Sequence, residues 1–270
     1  MILPSGEKFQ ELCDVYIGEQ SDFEYNPKIL AQKNKQLYIH SIPDNYNNPK
    51  LVFCYTHLVE KLYEQFAKFQ NNFILISHNS DYNITDKDKY IAEHPKIIHW
   101  FTQNLATSHP KISFIPIGIA NSCWSHGNES NFKDILATPI NKEFTVYFNF
   151  RVETNKEKRQ PCKDILVNAG LQFIPDLPPD TYLDVLSRHY YSICPEGNGI
   201  DSHRIWESLL LNTIPIMLRN PFTEMILKEY PCILLHRWED LTIETLQNIA
   251  NREFSSIDFM GFKNRILEYI

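Results

Sequence analysis

The chain is expected to be an α/β protein built from two Rossmann-like halves. Two observations carry this. Short apolar runs alternate with amphipathic segments along the length, and one polar, irregular stretch from Asn121 to Asn141 breaks the pattern near its midpoint. Strands that alternate with helices imply parallel sheets. The break places the domains at 1–140 and 141–270. One long doubly wound sheet is the alternative, and the position of the break favours two domains.

In the first half, QLYIHSI (36–42) and KLVFCYT (50–56) read as strands. HLVEKLYEQFAKF (57–69) places Leu58, Leu62, Phe66 and Phe69 three or four residues apart, the period of an amphipathic helix. NFILIS (72–77) is a continuous apolar run of the kind buried on both faces of a parallel sheet. After HNSDYN and a short helix, KIIHWF (96–101) and ISFIPIGI (112–119) complete this half. The second half restarts with the strand EFTVYFNF (143–150) and a helix within KEKRQPCKDILVNAG that ends at Gly170 as its C-cap. YLDVLSRH, SHRIWESLLLN, PFTEMILKEY and TIETLQNIANRE read as helices, and YYSIC (190–194), TIPIML (213–218) and CILL (232–235) as the strands between them. FMGFKNRILEYI is a closing amphipathic helix.

With 43% hydrophobic and 22% charged residues the chain belongs with ordinary globular proteins. Its net charge of −7 argues against nucleic acid as the main partner, because such binding rests on neutralising phosphates. The six cysteines form no C-x-x-C and do not cluster with histidine, so they read as buried thiols of a reducing compartment rather than zinc ligands. MILPSGEKFQELCDV lacks a basic region followed by an apolar core, and no window nears eighteen apolar residues. The expectation is a cytoplasmic protein without a membrane span.

The most informative stretch is SICPEGNGIDSHRIWESLLLNTIPIM. The chain has only 8 glycines, yet Gly197 and Gly199 stand together in it. The loop follows a strand and precedes a helix, so it lies at the carboxyl edge of a sheet, where ligands of open α/β sheets sit. Glycine lets backbone approach a ligand closely. Asp201 or Ser202 is the natural N-cap. The helix N-terminus favours an anion by roughly 0.3–1 kcal/mol, and Arg204 in its first turn adds a full charge suited to phosphate. Glu207, one turn further along the same face, suits a neutral diol such as a ribose. The plainer alternative is a tight turn, a capped helix and a surface Arg204–Glu207 pair. The loop matches neither the Walker A pattern nor G-x-G-x-x-G.

Two other carboxyl-end loops stand out. NFRVETNKEKR, with Arg151, Lys156, Lys158 and Arg159, is the most basic stretch of an acidic chain. ISHNSDYN carries His78 and Asp81, and for Asp81 an Asx turn or helix cap is the structural alternative. Asp86 and Asp88 in DKDK match D-x-D formally but read as a solvated helix start, and the ten histidines show no metal-binding spacing, so no metal is expected. Trp124 is the tryptophan placed to stack on a sugar.

The run YLDVLSRHYYSICPEGNGIDSHRIWESLLLNTIPIML resembles the signature region of exostosin-like glycosyltransferases and their microbial and viral relatives, in which C-P-x-G-x-G and R-x-x-E precede a Pro-containing strand. The similarity is strong over about 35 residues and extends weakly to YFNFRVETNKEKR and WFTQNL…ISFIPIGI. It implies a GT-B fold, with two Rossmann-like domains facing a central cleft and the C-terminal helix crossing back. It implies an acceptor-binding first half and a nucleotide-sugar-binding second half. On this pattern Gly197, Asn198, Gly199 and Arg204 hold the diphosphate, Glu207 holds the ribose, and Glu196 and His203 flank the site. Arg151 or Arg159 is a second diphosphate contact. Asp81, or else His78, is the base that deprotonates the acceptor. The implied activity is metal-independent, inverting transfer from a nucleotide sugar, most simply a UDP-sugar, to a glycan hydroxyl, with no cofactor. The alternatives are a nucleotide-sugar epimerase or hydrolase on the same fold, or a non-catalytic binding module.

Overall fold

The structure is a computed structural model and describes residues 1–24, 36–38, 42, 48–247 and 257–270. It is α/β and divides into two compact units, Met1–Trp124 with Asp258–Ile270, and Ser125–Ile257. Each holds a parallel sheet, so both are Rossmann-like as expected.

The first unit orders its strands β2-β1-β3-β4-β5-β6, where β1 is Val15–Ile17, β2 Gln36–Tyr38, β3 Leu51–Tyr55, β4 Phe73–His78, β5 Ile97–Thr102 and β6 Ile112–Phe114. All pairs are parallel. Every residue of β3 and β4 is buried, which explains why their sequences are unbroken apolar runs. Residues 39–41 of the expected QLYIHSI strand lie outside the described residues. β1 is a strand that periodicity misses, since three residues are too few to show an alternation. Helix α1 (Gly6–Leu12) precedes β1, and α2 (Gln20–Glu24) and α3 (Lys89–Ala92) lie between strands.

Residues 57–69 depart from the expected α-helix. They form two 3₁₀ turns, Thr56–Leu58 and Tyr63–Lys68. The apolar residues are buried as predicted, but Phe66 and Phe69 both pack on Phe73, at ring distances of 5.6 and 5.0 Å. Phe66 lies in the second 3₁₀ turn, whereas Phe69 is its C-cap with extended backbone, so the rings reach Phe73 from the turn and from the chain leaving it. The DKDK segment is not solvated throughout. Asp88 is buried and accepts hydrogen bonds from Thr85 N (2.8 Å) and Thr85 Oγ1 (3.1 Å), closing the helix start.

The second unit begins earlier than residue 141. Helix α4 (Glu129–Leu136) belongs to it, with Phe132 buried, and packs on α6 (Pro179–Ser187). The polar composition of residues 121–141 therefore marks the outer face of a helix as well as a junction. The sheet runs β10-β9-β8-β7, where β7 is Glu143–Tyr147, β8 His189–Ile193, β9 Ile214–Leu218 and β10 Ile233–Leu235. Its strands are parallel, and α5 (Lys156–Asn168), α7 (His203–Leu210), α8 (Pro221–Glu229) and α9 (Ile243–Gln247) complete the unit. Residues 248–253 of the expected TIETLQNIANRE helix lie outside the described residues. The core gathers Phe148, Phe150, Leu166, Ile193, Ile216 and Trp238. At the amino end of the sheet, Lys142 Nζ donates to Ser187 O (2.7 Å), His189 O (3.0 Å) and Thr213 Oγ1 (2.9 Å), leaving the opposite edge for chemistry.

The chain then returns to the first unit. Helix α10 (Phe259–Leu267) packs on α1 through Phe9, whose ring lies 5.3 Å from Phe259 and 6.1 Å from Phe262. Ile2 N donates to Asp258 Oδ1 at 3.0 Å and Phe259 N donates to Ile2 O at 2.8 Å. Among the described residues no helix is long and apolar enough to cross a membrane. Five cysteines are buried and Cys123 is exposed.

Gly170 ends α5 with φ +94°, its N–H bonded to Val167 O at 2.9 Å and that of Leu171 to Leu166 O at 3.0 Å. A side chain would meet open space but an unfavourable backbone conformation. Gly170→Ala is expected to lower stability by roughly 1–2 kcal/mol, read as a urea midpoint shift at constant slope.

Candidate functional site

Strand β8 runs into the loop Cys194–Ser202 and then into α7. The loop is held from α5. Asn155, the N-cap of that helix, donates through Nδ2 to Gly197 O at 2.6 Å, and Arg159 Nε donates to Glu196 O at 2.9 Å. Gly197 does not occupy the left-handed region. A Cβ there would meet Arg159 Nη2 at 3.6 Å and Gly199 O and Ser202 Cβ at 3.8 Å, all ordinary contacts. The backbone conformation therefore does not demand glycine at 197. What the missing side chain leaves open is space in front of Arg159 and Ser202.

Ser202 is the N-cap of α7, yet its side chain makes no capping bond. The residue is 6% exposed and its Oγ has no hydrogen-bond partner. Asp201, the other candidate cap, is buried and accepts from Trp206 Nε1 at 2.8 Å. A buried hydroxyl without a partner is costly, and it stands here at a helix N-terminus where an anion would satisfy it.

Arg204 lies between two aromatic rings, 4.6 Å from the Tyr182 centroid and 5.3 Å from that of Tyr147. Its Nη1 donates to Asn149 O at 2.5 Å, while Nε is 4.0 Å from Glu207 Oε2 and has no hydrogen bond. Burial alone would drive the guanidinium towards neutrality, but Tyr182, Glu207 and Tyr147 outweigh it and hold Arg204 above the ordinary arginine value. Its side chain is 17% exposed, so a ligand can reach it. Glu207 is 6% exposed and accepts a hydrogen bond from the Tyr182 hydroxyl. The structure thus gives Glu207 a protein partner at the place where the sequence pattern put a ribose.

Arg159 donates Nη1 to Arg151 O at 2.9 Å, and its guanidinium lies 5.7 Å from the Phe150 ring centroid. Its hydrogen bonds to backbone carbonyls leave its charge uncancelled. Burial first, then the charge of Arg204, push its pKa down to about 10, so it remains a cation at neutral pH. Arg204 and Arg159 are close enough for their charges to repel, which concentrates positive charge beside the loop. Arg151 contributes its carbonyl, whereas its side chain is 72% exposed and lies 3.7 Å from Asp176 Oδ2. Asn198 is exposed and Gly199 buried on the loop. The His203 ring is 6.4 Å from that of His126, whose pKa is lowered by burial and then by His203.

On the other flank Glu196 Oε1 accepts from Asn220 Nδ2 at 3.1 Å. Both line a pocket walled by Cys194, Ile200, Met217 and Trp238. The pocket is mostly apolar with a polar rim, the usual make-up of a small-molecule site. Among the described residues no three His, Cys, Asp or Glu side chains gather at metal-binding distance.

The remaining expected residues belong to the first unit. His78 is 1% exposed, Nε2 lies 3.0 Å from Pro116 O, and Nδ1 accepts from Asn79 N at 2.8 Å. A carbonyl can only accept, so Nε2 carries the proton and both ring nitrogens are engaged. That geometry fits a structural histidine rather than a base. Asp81 is exposed on the loop after β4. Trp124 is half exposed. Sequence reasoning missed Tyr147, Asn149, Asn155, Tyr182 and Asn220, which lie far along the chain from the residues they support and carry no local signal.

No protein-family model and no curated protein matches the chain. Among solved structures, it is similar to that of UDP-GlcNAc 2-epimerase from Methanocaldococcus jannaschii, at 14% identity, with 95% of this chain and 99% of that chain covered and a TM-score of 0.43.

The Ser202 and Tyr147 hydroxyls are both buried without partners. Ser202→Ala and Tyr147→Phe are therefore expected to leave stability unchanged or raise it by up to about 1 kcal/mol. Tyr182→Phe strands the buried Glu207 carboxylate and is expected to cost about 1.5–3 kcal/mol. Thermal melts of the three variants separate the two behaviours.

Proposed function

We propose that the chain is a GT-B-type glycosyltransferase that moves a sugar from a nucleotide donor, most simply a UDP-sugar, to a glycan hydroxyl. The observation that carries this reading is the Ser202 hydroxyl, buried and unpartnered at the start of α7, with Gly197 packed beside it and against Arg159, and with Arg204 in the first turn of the same helix. That arrangement suits a diphosphate. The resemblance of the same loop and helix to exostosin-like enzymes supports the choice of a nucleotide sugar.

In this reading the transfer is inverting and uses no metal. The acceptor oxygen bonds to the anomeric carbon as the bond from that carbon to the diphosphate oxygen breaks, and Asp81 takes the acceptor proton. The nucleoside diphosphate leaves with increased negative charge. Arg159, Arg204 and the α7 N-terminus stabilise it, because preorganised positive groups act most strongly where charge develops.

A thermal-shift screen across nucleotides is the first test, since a ligand that binds the folded state raises its melting temperature. Arg159→Met is expected to weaken UDP binding by about 1.5–3 kcal/mol, and Ser202→Ala to weaken it while sparing the fold. Unchanged affinity in both would remove the loop as the diphosphate site. UDP release is expected to accelerate when glycan acceptors are added. Release that no acceptor accelerates points to the hydrolase or epimerase instead. Asp81→Asn is expected to stop transfer and preserve donor binding, so an active variant removes Asp81 as the base.

A further inference from the structure

We infer that the ribose hydroxyls of the nucleotide are held by Glu196, in the pocket between the loop and α8, and that Glu207 is a positioning residue that sets Arg204 and touches no ligand. This rests on the donor-site reading above and divides the roles of two carboxylates that the sequence pattern leaves together.

The case against Glu207 as a sugar contact is geometric. A carboxylate that grips a diol must offer its oxygens to two hydroxyl donors. Glu207 is 6% exposed, its Oε2 receives the Tyr182 hydroxyl, and the same oxygen faces Arg204 Nε at 4.0 Å. Its Oε2 is thus engaged by protein groups, Tyr182 and the guanidinium, which leaves one carboxylate oxygen rather than two for a diol. Removing its charge would alter the field on Arg204, which Glu207 helps to keep cationic.

Glu196 has the opposite circumstances. It is partly exposed and is the one carboxylate among the residues lining the pocket. Its backbone is fixed by Arg159, through the 2.9 Å bond to its carbonyl, and its side chain is oriented by the 3.1 Å bond from Asn220. An acceptor held this way is ready to receive hydroxyl donors. Much of the remaining wall, Ile200, Ile205, Met217, Leu218 and Trp238, is apolar and suits a flat, weakly polar ring such as a nucleobase, while Lys158 and Thr223 add polar groups to the same pocket. Order along the chain agrees. Glu196 is the chain neighbour of Gly197, which faces Arg159 and Ser202, so the pocket adjoins the part of the loop assigned to the diphosphate.

The test uses the nucleoside diphosphate that binds best among UDP, ADP, GDP and CDP, its 2′-deoxy and 3′-deoxy forms, and inorganic pyrophosphate as a probe without ribose. Affinities are measured by calorimetry on the wild type, Glu196→Gln, Glu207→Gln and Tyr182→Phe. The wild type is expected to favour the ribonucleotide over the deoxy forms by about tenfold, the scale of a hydrogen bond to a charged group. Glu196→Gln is expected to bring that ratio near one and leave pyrophosphate affinity unchanged. Glu207→Gln and Tyr182→Phe are expected to keep the ratio and weaken pyrophosphate and nucleotide alike, a pattern that general loosening of the ribose contact would not produce. A ratio lost in Glu207→Gln and kept in Glu196→Gln overturns the assignment, as does a wild type indifferent to the ribose hydroxyls. A wild type that binds pyrophosphate but no nucleoside diphosphate sinks the donor-site reading itself.

Discussion

A guanidinium removed from water has to be matched on several sides at once, and the second unit is arranged around meeting that demand for Arg204. Tyr147 at the end of β7 and Tyr182 on α6 cover the guanidinium with aromatic rings. Asn149, two residues beyond β7, supplies a carbonyl. Glu207, one turn along α7, supplies counter-charge and is itself held by Tyr182. One cation therefore ties the end of a strand, the segment after it and two helices into a single arrangement. A buried ion pair adds little net stability over apolar packing, but breaking it leaves an uncompensated charge and costs several kcal/mol. The cluster is better understood as fixing where the charge stands than as a source of stability.

The loop in front of Arg204 follows a related logic. Asn155, the N-cap of α5, and Arg159 within that helix bond to the Gly197 and Glu196 carbonyls, so the loop's shape is set in part from outside. Gly197 is thus free to serve closeness of approach instead of backbone conformation. Ser202 keeps an unsatisfied hydroxyl while Asp201 beside it is turned to Trp206.

Much of this was legible in the sequence, and the limits have physical causes. The all-buried β4 showed itself because both its faces are covered, whereas β1 left too short a trace. Phe66 and Phe69 announced their burial but not the 3₁₀ turn that ends between them, since a spacing of three fits a helix whether or not it continues. Arg204 and Glu207 were visible by spacing. Tyr182, which determines what Glu207 can do, lies 25 residues away from it and could not be seen. Arg151 and Arg159 were equal in a basic run. Only the structure shows that Arg159, inside the first turns of α5, turns back to the loop while Arg151 pairs with Asp176 at the surface. His78 looked reactive because it ends a strand, and is instead spent on Pro116 and Asn79.

The path of the chain between the units also has a consequence for its synthesis. The first unit lacks α10 until residues 259–267 exist, and the whole of the second unit is translated in between. At roughly 5–20 residues per second, Phe9 waits on the order of ten seconds at the ribosome without Phe259 and Phe262. The second unit is contiguous and can fold in that interval. The amino-terminal unit is therefore the later of the two to be complete, and the side of α1 that carries Phe9 lacks its covering rings until then.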